Sequence, residues 1–109
     1  MTFLHCDYNP SFNGQAPEPI AKNLTEFSEL IKNNGGIAAG LATDGDADRI
    51  GLFNSKGEFV DSHHILLLLM LYLHKNKSMN GKVVVAASTT PRVVRLAEKW
   101  GLPHDTVQI

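Results

Sequence analysis

Thr43-Asp44-Gly45-Asp46-Ala47-Asp48-Arg49 is the stretch that decides how this chain is read. Three carboxylates stand at alternate positions, small residues separate them, and an arginine follows at once. Behind them runs the apolar segment Ile37-Ala38-Ala39-Gly40-Leu41-Ala42, and ahead lies Ile50-Gly51-Leu52-Phe53. The pattern reads as a buried strand that ends in an acidic loop and re-enters a second strand. Alternate residues of an extended segment point the same way, so Asp44, Asp46 and Asp48 are expected to converge. Converging carboxylates repel one another and call for a cation. An all-oxygen ligand set suits a hard ion, Mg2+ ahead of Mn2+ or Ca2+. Arg49 adds a fixed cation whose planar fork matches phosphate. A metal site with an adjacent arginine at a strand end is equipment for phosphoryl chemistry.

Other readings of the same residues exist. Asp/Gly-rich stretches are often plain solvated turns, but three in-phase aspartates are hard to explain that way. An EF-hand loop opens with the same spacing, then needs glycine sixth and glutamate twelfth. Arg49 and Ser55 hold those positions, so the EF-hand fails. A strand followed by D-x-D is also seen in haloacid-dehalogenase-type phosphatases, with Asp44 then the nucleophile. That family expects Thr or Val shortly after the second aspartate, where this chain has Asp48-Arg49, so the reading is weakened. A non-catalytic metal-binding or assembly module is the third reading.

Outward from this centre, residues 3–8 read as a short strand and residues 9–19 as a loop punctuated by Pro and Gly. Pro19 is placed in the first turn of a helix that carries Ile20, Leu24, Phe27, Leu30 and Ile31 on one face. Asn33-Asn34-Gly35-Gly36 ends it. The strand over 37–43 follows, then the acidic loop and a strand over 49–54. Asn54-Ser55-Lys56-Gly57-Glu58 is a hairpin turn that returns Phe59-Val60-Asp61 onto the preceding strand. A helix over 63–75, capped by Asp61 or Ser62, is apolar nearly all round and is expected to be buried between layers or at a domain junction. Residues 82–88 read as a strand buried on both faces. Thr89 or Thr90 caps the next helix, Pro91 opens it, Val93, Val94, Ala97 and Trp100 form its stripe, and Gly101 ends it. Residues 105–109 read as a last strand. The expected class is α/β, with a mixed, largely parallel sheet and helices packed on it.

The whole chain sets bounds. Its 109 residues suffice for one small domain or for pieces of two. A net charge of −1 with no basic stripe argues against nucleic acid. The longest apolar run, residues 65–73, is too short to span a bilayer, so no membrane role is expected. A single cysteine, Cys6, forms no internal disulfide and fits a reducing compartment. No signal peptide is visible after Met1, and the expected location is the cytoplasm.

The segment Leu41-Ala42-Thr43-Asp44-Gly45-Asp46-Ala47-Asp48-Arg49-Ile50-Gly51 resembles the metal loop of the α-D-phosphohexomutases, the family of phosphoglucomutase and phosphomannomutase. The likeness continues in Phe12-Asn13-Gly14-Gln15-Ala16-Pro17-Glu18-Pro19 with Asn23-Leu24. It extends through Ala87-Ser88-Thr89-Thr90 and Leu96-Ala97-Glu98-Lys99-Trp100-Gly101, and so covers nearly the whole chain. The resemblance implies a four-domain parent. Residues 1–62 would be the closing half of its second domain and residues 63–109 the opening half of its third. It implies Mg2+ held by Asp44, Asp46 and Asp48 against a phosphorylated serine, with Arg49 beside that serine as a catalytic residue. It also implies a hexose phosphate substrate, interconverted between 1-phosphate and 6-phosphate forms through a hexose 1,6-bisphosphate. The phosphoserine, sugar-selecting and phosphate-gripping loops have no counterpart in these residues, so the chain is expected to be a fragment that is inactive alone. Ala47, where some subfamilies carry glycine, tilts the likeness toward phosphoglucomutase-type members.

The remaining chemistry-bearing residues read as structural. Ser88 is assigned to packing or capping. His63 and His64 are neighbours on a helix and point about 100° apart, which argues against a shared site. His5, His74 and His104 are isolated, Cys6 is taken as a buried thiol, and Trp100 as core. If no further domain covers the leucine run, its apolar surface is expected to drive self-association.

Overall fold

A computed structural model describes residues 1–108, which form two compact units, the first Met1–Asp61 and the second from Ser62 onward. In the first unit, α1 (Thr25–Asn33) packs on a three-stranded sheet of β1 (Ala39–Thr43), β2 (Ile50–Asn54) and β3 (Phe59–Val60), in that order. Both pairings are antiparallel. The expectation of a largely parallel sheet therefore does not hold in this unit. The reason is connection length: six residues, 44–49, separate β1 from β2, and parallel neighbours need a crossover of roughly a dozen or more.

Glycine decides how closely α1 approaches this sheet. Gly40 lies opposite Phe53 in the β1–β2 register. A Cβ there would stand 2.6 Å from Ile31 Cδ1 and 2.7 Å from Phe27 Cζ. The missing side chain is thus the space that α1 fills. Phe53 and Ile31 are each only 2% exposed and centre the core. The Phe53 ring meets Phe27 and Phe59 edge-on, at 5.4 and 5.3 Å between centroids. The turn from β2 to β3 is the expected one: Asn54 Oδ1 accepts from the backbone N–H of Lys56 and Glu58, and Gly57 takes φ +71°. Ser28 Oγ donates to the Gly57 carbonyl at 2.6 Å and ties α1 to that turn.

In the second unit, α2 (Ser62–Leu71) runs into a π-helical turn at Tyr72–Asn76. Then β4 (Val83–Ala86), α3 (Pro91–Lys99) and β5 (His104–Val107) form a unit whose two strands are parallel. Here α3 supplies the crossover. Thr90 caps it by accepting from Arg92 N, Pro91 stands at its start, and Gly101 at φ +67° ends it. Val93 and Ala97 are fully buried against the strands, with Val85 at 9% exposure.

Several expectations fail for physical reasons. Residues 3–8 form no strand, and Cys6 is exposed. Pro19 lies outside a helix; a short 3-10 turn at Ala21–Asn23 precedes α1. β1 is not buried on both faces, since Leu41 is 64% exposed opposite the helix-covered face. β4 is likewise half-open, with Val84 exposed. No residue of α2 is fully buried, and Ile65, Leu66, Leu67 and Met70 are half-buried, so within this chain the leucine run falls short of the burial its apolarity calls for. Uniform apolarity says that a helix wants a partner on every side, not that the chain supplies one. Trp100 is half-buried, with the His74 ring stacked on it at 4.5 Å.

Candidate metal centre

The loop joining β1 to β2 places the acidic residues. Thr43 pairs with Ile50 at the end of the ladder, so Asp44 and Arg49 face each other just beyond it. Asp44 N donates weakly to the Arg49 carbonyl at 3.4 Å, and Ala47 N donates to the Asp44 carbonyl at 3.2 Å. The second of these bonds folds residues 44–47 into a turn, with Ala47 at φ +60°. The segment is not extended, so strand alternation is not what gathers the carboxylates. The turn wraps them to one side. One carboxylate oxygen each from Asp44, Asp46 and Asp48 lies within 4.8 Å of the others.

The three differ in surroundings. The Asp44 side chain is 1% exposed. Its Oδ1 accepts from Arg49 N at 3.1 Å and its Oδ2 from Arg49 Nε at 2.6 Å. Asp46 and Asp48 are exposed. The backbone N–H of Arg49, above all, holds the Asp44 carboxyl at about 2, with its guanidinium and Asp48 adding to the effect while burial opposes it. In turn the carboxylates raise the Arg49 pKa further, Asp44 most strongly. Asp48 Oδ1 lies 3.6 Å from Arg49 Nε, and Glu18 Oε1 4.0 Å from Arg49 Nη1. Carboxylates thus flank the guanidinium from both the loop and the segment before α1.

This donor set fits a hard divalent cation. A carboxylate has about four lone-pair positions. Arg49 engages one on each Asp44 oxygen, which leaves the outer ones free. Trans oxygens around Mg2+ stand about 4.2 Å apart, so a small inward turn of the exposed Asp46 and Asp48 closes the set.

Two neighbours escaped the sequence reading. The sequence places Phe12 and Glu18 in a loop over 9–19, yet the Phe12 ring lies against Gly45 and Glu18 faces Arg49. Neither shows at a periodic spacing; only the likeness over residues 12–19 drew attention to that segment. None of His5, His63, His64, His74, His104 or Cys6 joins the acidic cluster, whose members are all aspartates.

Comparison with known proteins gives the family. The family model for phosphoglucomutase/phosphomannomutase, alpha/beta/alpha domain II, matches residues 1–57. The chain belongs to the phosphoglucomutase/phosphomannomutase family. A phosphopentomutase from Thermococcus kodakarensis is 33% identical over 107 residues, covering 89% of this chain and 23% of that protein. A phosphoglucomutase from Neisseria meningitidis serogroup B is 32% identical over 105 residues, covering 95% and 22%. A solved structure from Thermus thermophilus, provisionally assigned as a phosphomannomutase, superposes with a TM-score of 0.83 at 35% identity, covering 93% of this chain and 23% of that one. The chain spans less than a quarter of the length of these relatives. Family members of this kind carry names that differ in the sugar, so membership alone leaves the sugar open.

Proposed function

We propose that residues 43–49 are the Mg2+ loop of a phosphohexomutase, contributed by a chain whose two units correspond to the end of that enzyme's second domain and the start of its third. The full enzyme, on this reading, interconverts hexose 1-phosphate and hexose 6-phosphate through a phosphoserine and a hexose 1,6-bisphosphate. The observation that carries the proposal is the gathering of Asp44, Asp46 and Asp48 within 4.8 Å beside Arg49.

The chemistry follows from charge. Without a cation, this carboxylate cluster repels phosphate. Mg2+ bound there supplies charge neutralisation and Lewis-acid polarisation of a phosphoryl oxygen. Asp44 acts as the fixed base of the loop, its ionised form locked by Arg49. Asp46 and Asp48, exposed, complete the ligand set. Arg49 has its Nε committed to Asp44 but remains 58% exposed. Its outer face is therefore available to hold the oxygens of a transferring phosphoryl group, in a fixed orientation set by that ion pair. No nucleophile is assigned within these residues. The phosphoserine and the sugar grip belong to other parts of the full enzyme, and the chain alone is inactive on this account.

Asp46→Asn in the full-length enzyme tests the proposal. Mutase turnover on hexose 1-phosphate should fall on the order of a hundredfold, the scale on which one electrostatic contact to a transition state acts. Unchanged turnover would overturn it.

A further inference from the structure

The segment before α1 crosses the acidic loop, and its sharpest feature is Phe12. A Cβ placed on Gly45 would stand 2.8 Å from Phe12 Cζ and 3.2 Å from Cε1, so the ring lies directly on the Gly45 backbone between two of the aspartates. Phe12 adopts φ +50° and Asn13 φ +57°. A bulky residue rarely occupies the left-handed region, and such strain persists only where the surroundings impose it.

Those surroundings are visible. Asn13 Nδ2 donates to His5 Nδ1 at 2.8 Å, and His5 Nε2 lies 2.9 Å from Glu26 Oε2 on α1. An amide nitrogen donates and a carboxylate accepts, so the His5 ring bridges Asn13 and Glu26 through its two nitrogens. Asn13 Oδ1 accepts from Asn9 Nδ2. At the far end of the segment, Asn23 Nδ2 donates to the carbonyls of Ala16 and Glu18. Glu18 faces Arg49, and the Pro19 carbonyl packs where a Gly51 side chain would be. The segment is therefore tied to α1 and to β2, and it presses one aromatic ring on the middle of the acidic loop.

We infer that Phe12 is a positioning residue for the metal loop: its ring holds the Gly45–Ala47 backbone in the conformation that gathers the three carboxylates. The inference rests on the reading of residues 43–49 as a metal loop. Phe12 touches neither metal nor substrate in this role and acts through Gly45. Phe12 as a whole is 45% exposed, so little of the core depends on it.

The test uses the full chain in three variants, Phe12→Ala, Phe12→Leu and Gly45→Ala. Two readouts are taken: amide relaxation dispersion of the metal-free chain, and Mn2+ affinity from the free-ion EPR signal. F12A should broaden the Gly45, Asp46 and Ala47 amides while Leu52 and Phe53 in β2 stay sharp. It should weaken Mn2+ binding roughly tenfold, the usual scale for losing a group that supports a metal ligand. F12L should retain most of the affinity. Gly45 does not need a positive φ, so G45A acts by pushing the ring away, and it should reproduce F12A. The double variant should add nothing further, since both changes remove one contact. Sharp loop amides with unchanged Mn2+ affinity in F12A, or additive effects of F12A and G45A, would overturn the inference. If F12A does not fold, G45A and F12L read the same contact. If the unaltered chain binds no Mn2+, the metal reading falls, while the metal-free amide comparison still decides the role of Phe12.

Discussion

Asp44 and Arg49 hold each other twice, backbone N–H to Oδ1 and guanidinium Nε to Oδ2, across the mouth of one hairpin loop. The pair does two tasks. It closes the loop where the β1–β2 ladder ends, and it keeps the innermost carboxylate of the cluster ionised.

Asp44 titrates at about 2 instead of 3.8, because Arg49 favours its charged form. A depressed folded-state value means that the stabilisation is complete above about pH 4 and is lost as the pH falls toward 2. Carbon-13 titration of the side-chain carboxyl should show this midpoint. Thermal melts of Asp44→Asn should lose the part of the wild-type pH dependence that lies between about pH 4 and 2. A wild-type midpoint near the ordinary carboxylate value would remove the proposed lock.

Metal binding and folding should separate along the loop. Asp46 and Asp48 are exposed and close no ladder. Asp46→Asn and Asp48→Asn should each weaken Mn2+ binding on the order of tenfold or more, through lost ligand charge, and leave the melting temperature within about a degree or two. Asp44→Asn should lower both. Calorimetric titration beside thermal melts distinguishes the two classes.

Gly40 offers a packing test remote from the metal. A methyl group there meets Ile31 and Phe27 at 2.6–2.9 Å. Gly40→Ala should destabilise the first unit by about 1–3 kcal/mol, the usual cost of overpacking. Urea unfolding followed at the amides of β2 measures it. The same measurement on Phe53→Ala should show a loss of about 3–5 kcal/mol, because the ring is buried among two others.

The isolated chain should self-associate. Leu68, Leu69, Leu71, Tyr72 and Leu73 are 40–52% exposed on neighbouring turns, and contiguous apolar surface of this kind drives association. Light scattering should show an apparent mass that rises with concentration, and Leu69→Lys should reduce it. A monomer at all concentrations would contradict this prediction.

Much of the site was legible because its signal is local. The D-x-D-x-D-R run, the flanking apolar segments, the Asn54–Glu58 turn, and the Thr90, Pro91 and Gly101 punctuation of α3 each act within a few residues, where propensity and hydrogen-bonding options are set by the side chains themselves. Local rules also misled. Strand alternation foretold converging carboxylates, but a turn with Ala47 in the left-handed region is what converges them.

By itself, the amino-acid sequence determined the α/β class, the family, and the three aspartates with their arginine, because composition, short spacing and motif are properties of neighbouring residues. Only the tertiary structure decided that no residue of α2 is fully buried and that Phe12 and Glu18 reach the loop. The Phe12–Gly45 and Glu18–Arg49 contacts join residues far apart in the chain. Their existence depends on how closely backbones approach, at Gly40, Gly45 and Gly51, and no pattern along the chain records that distance.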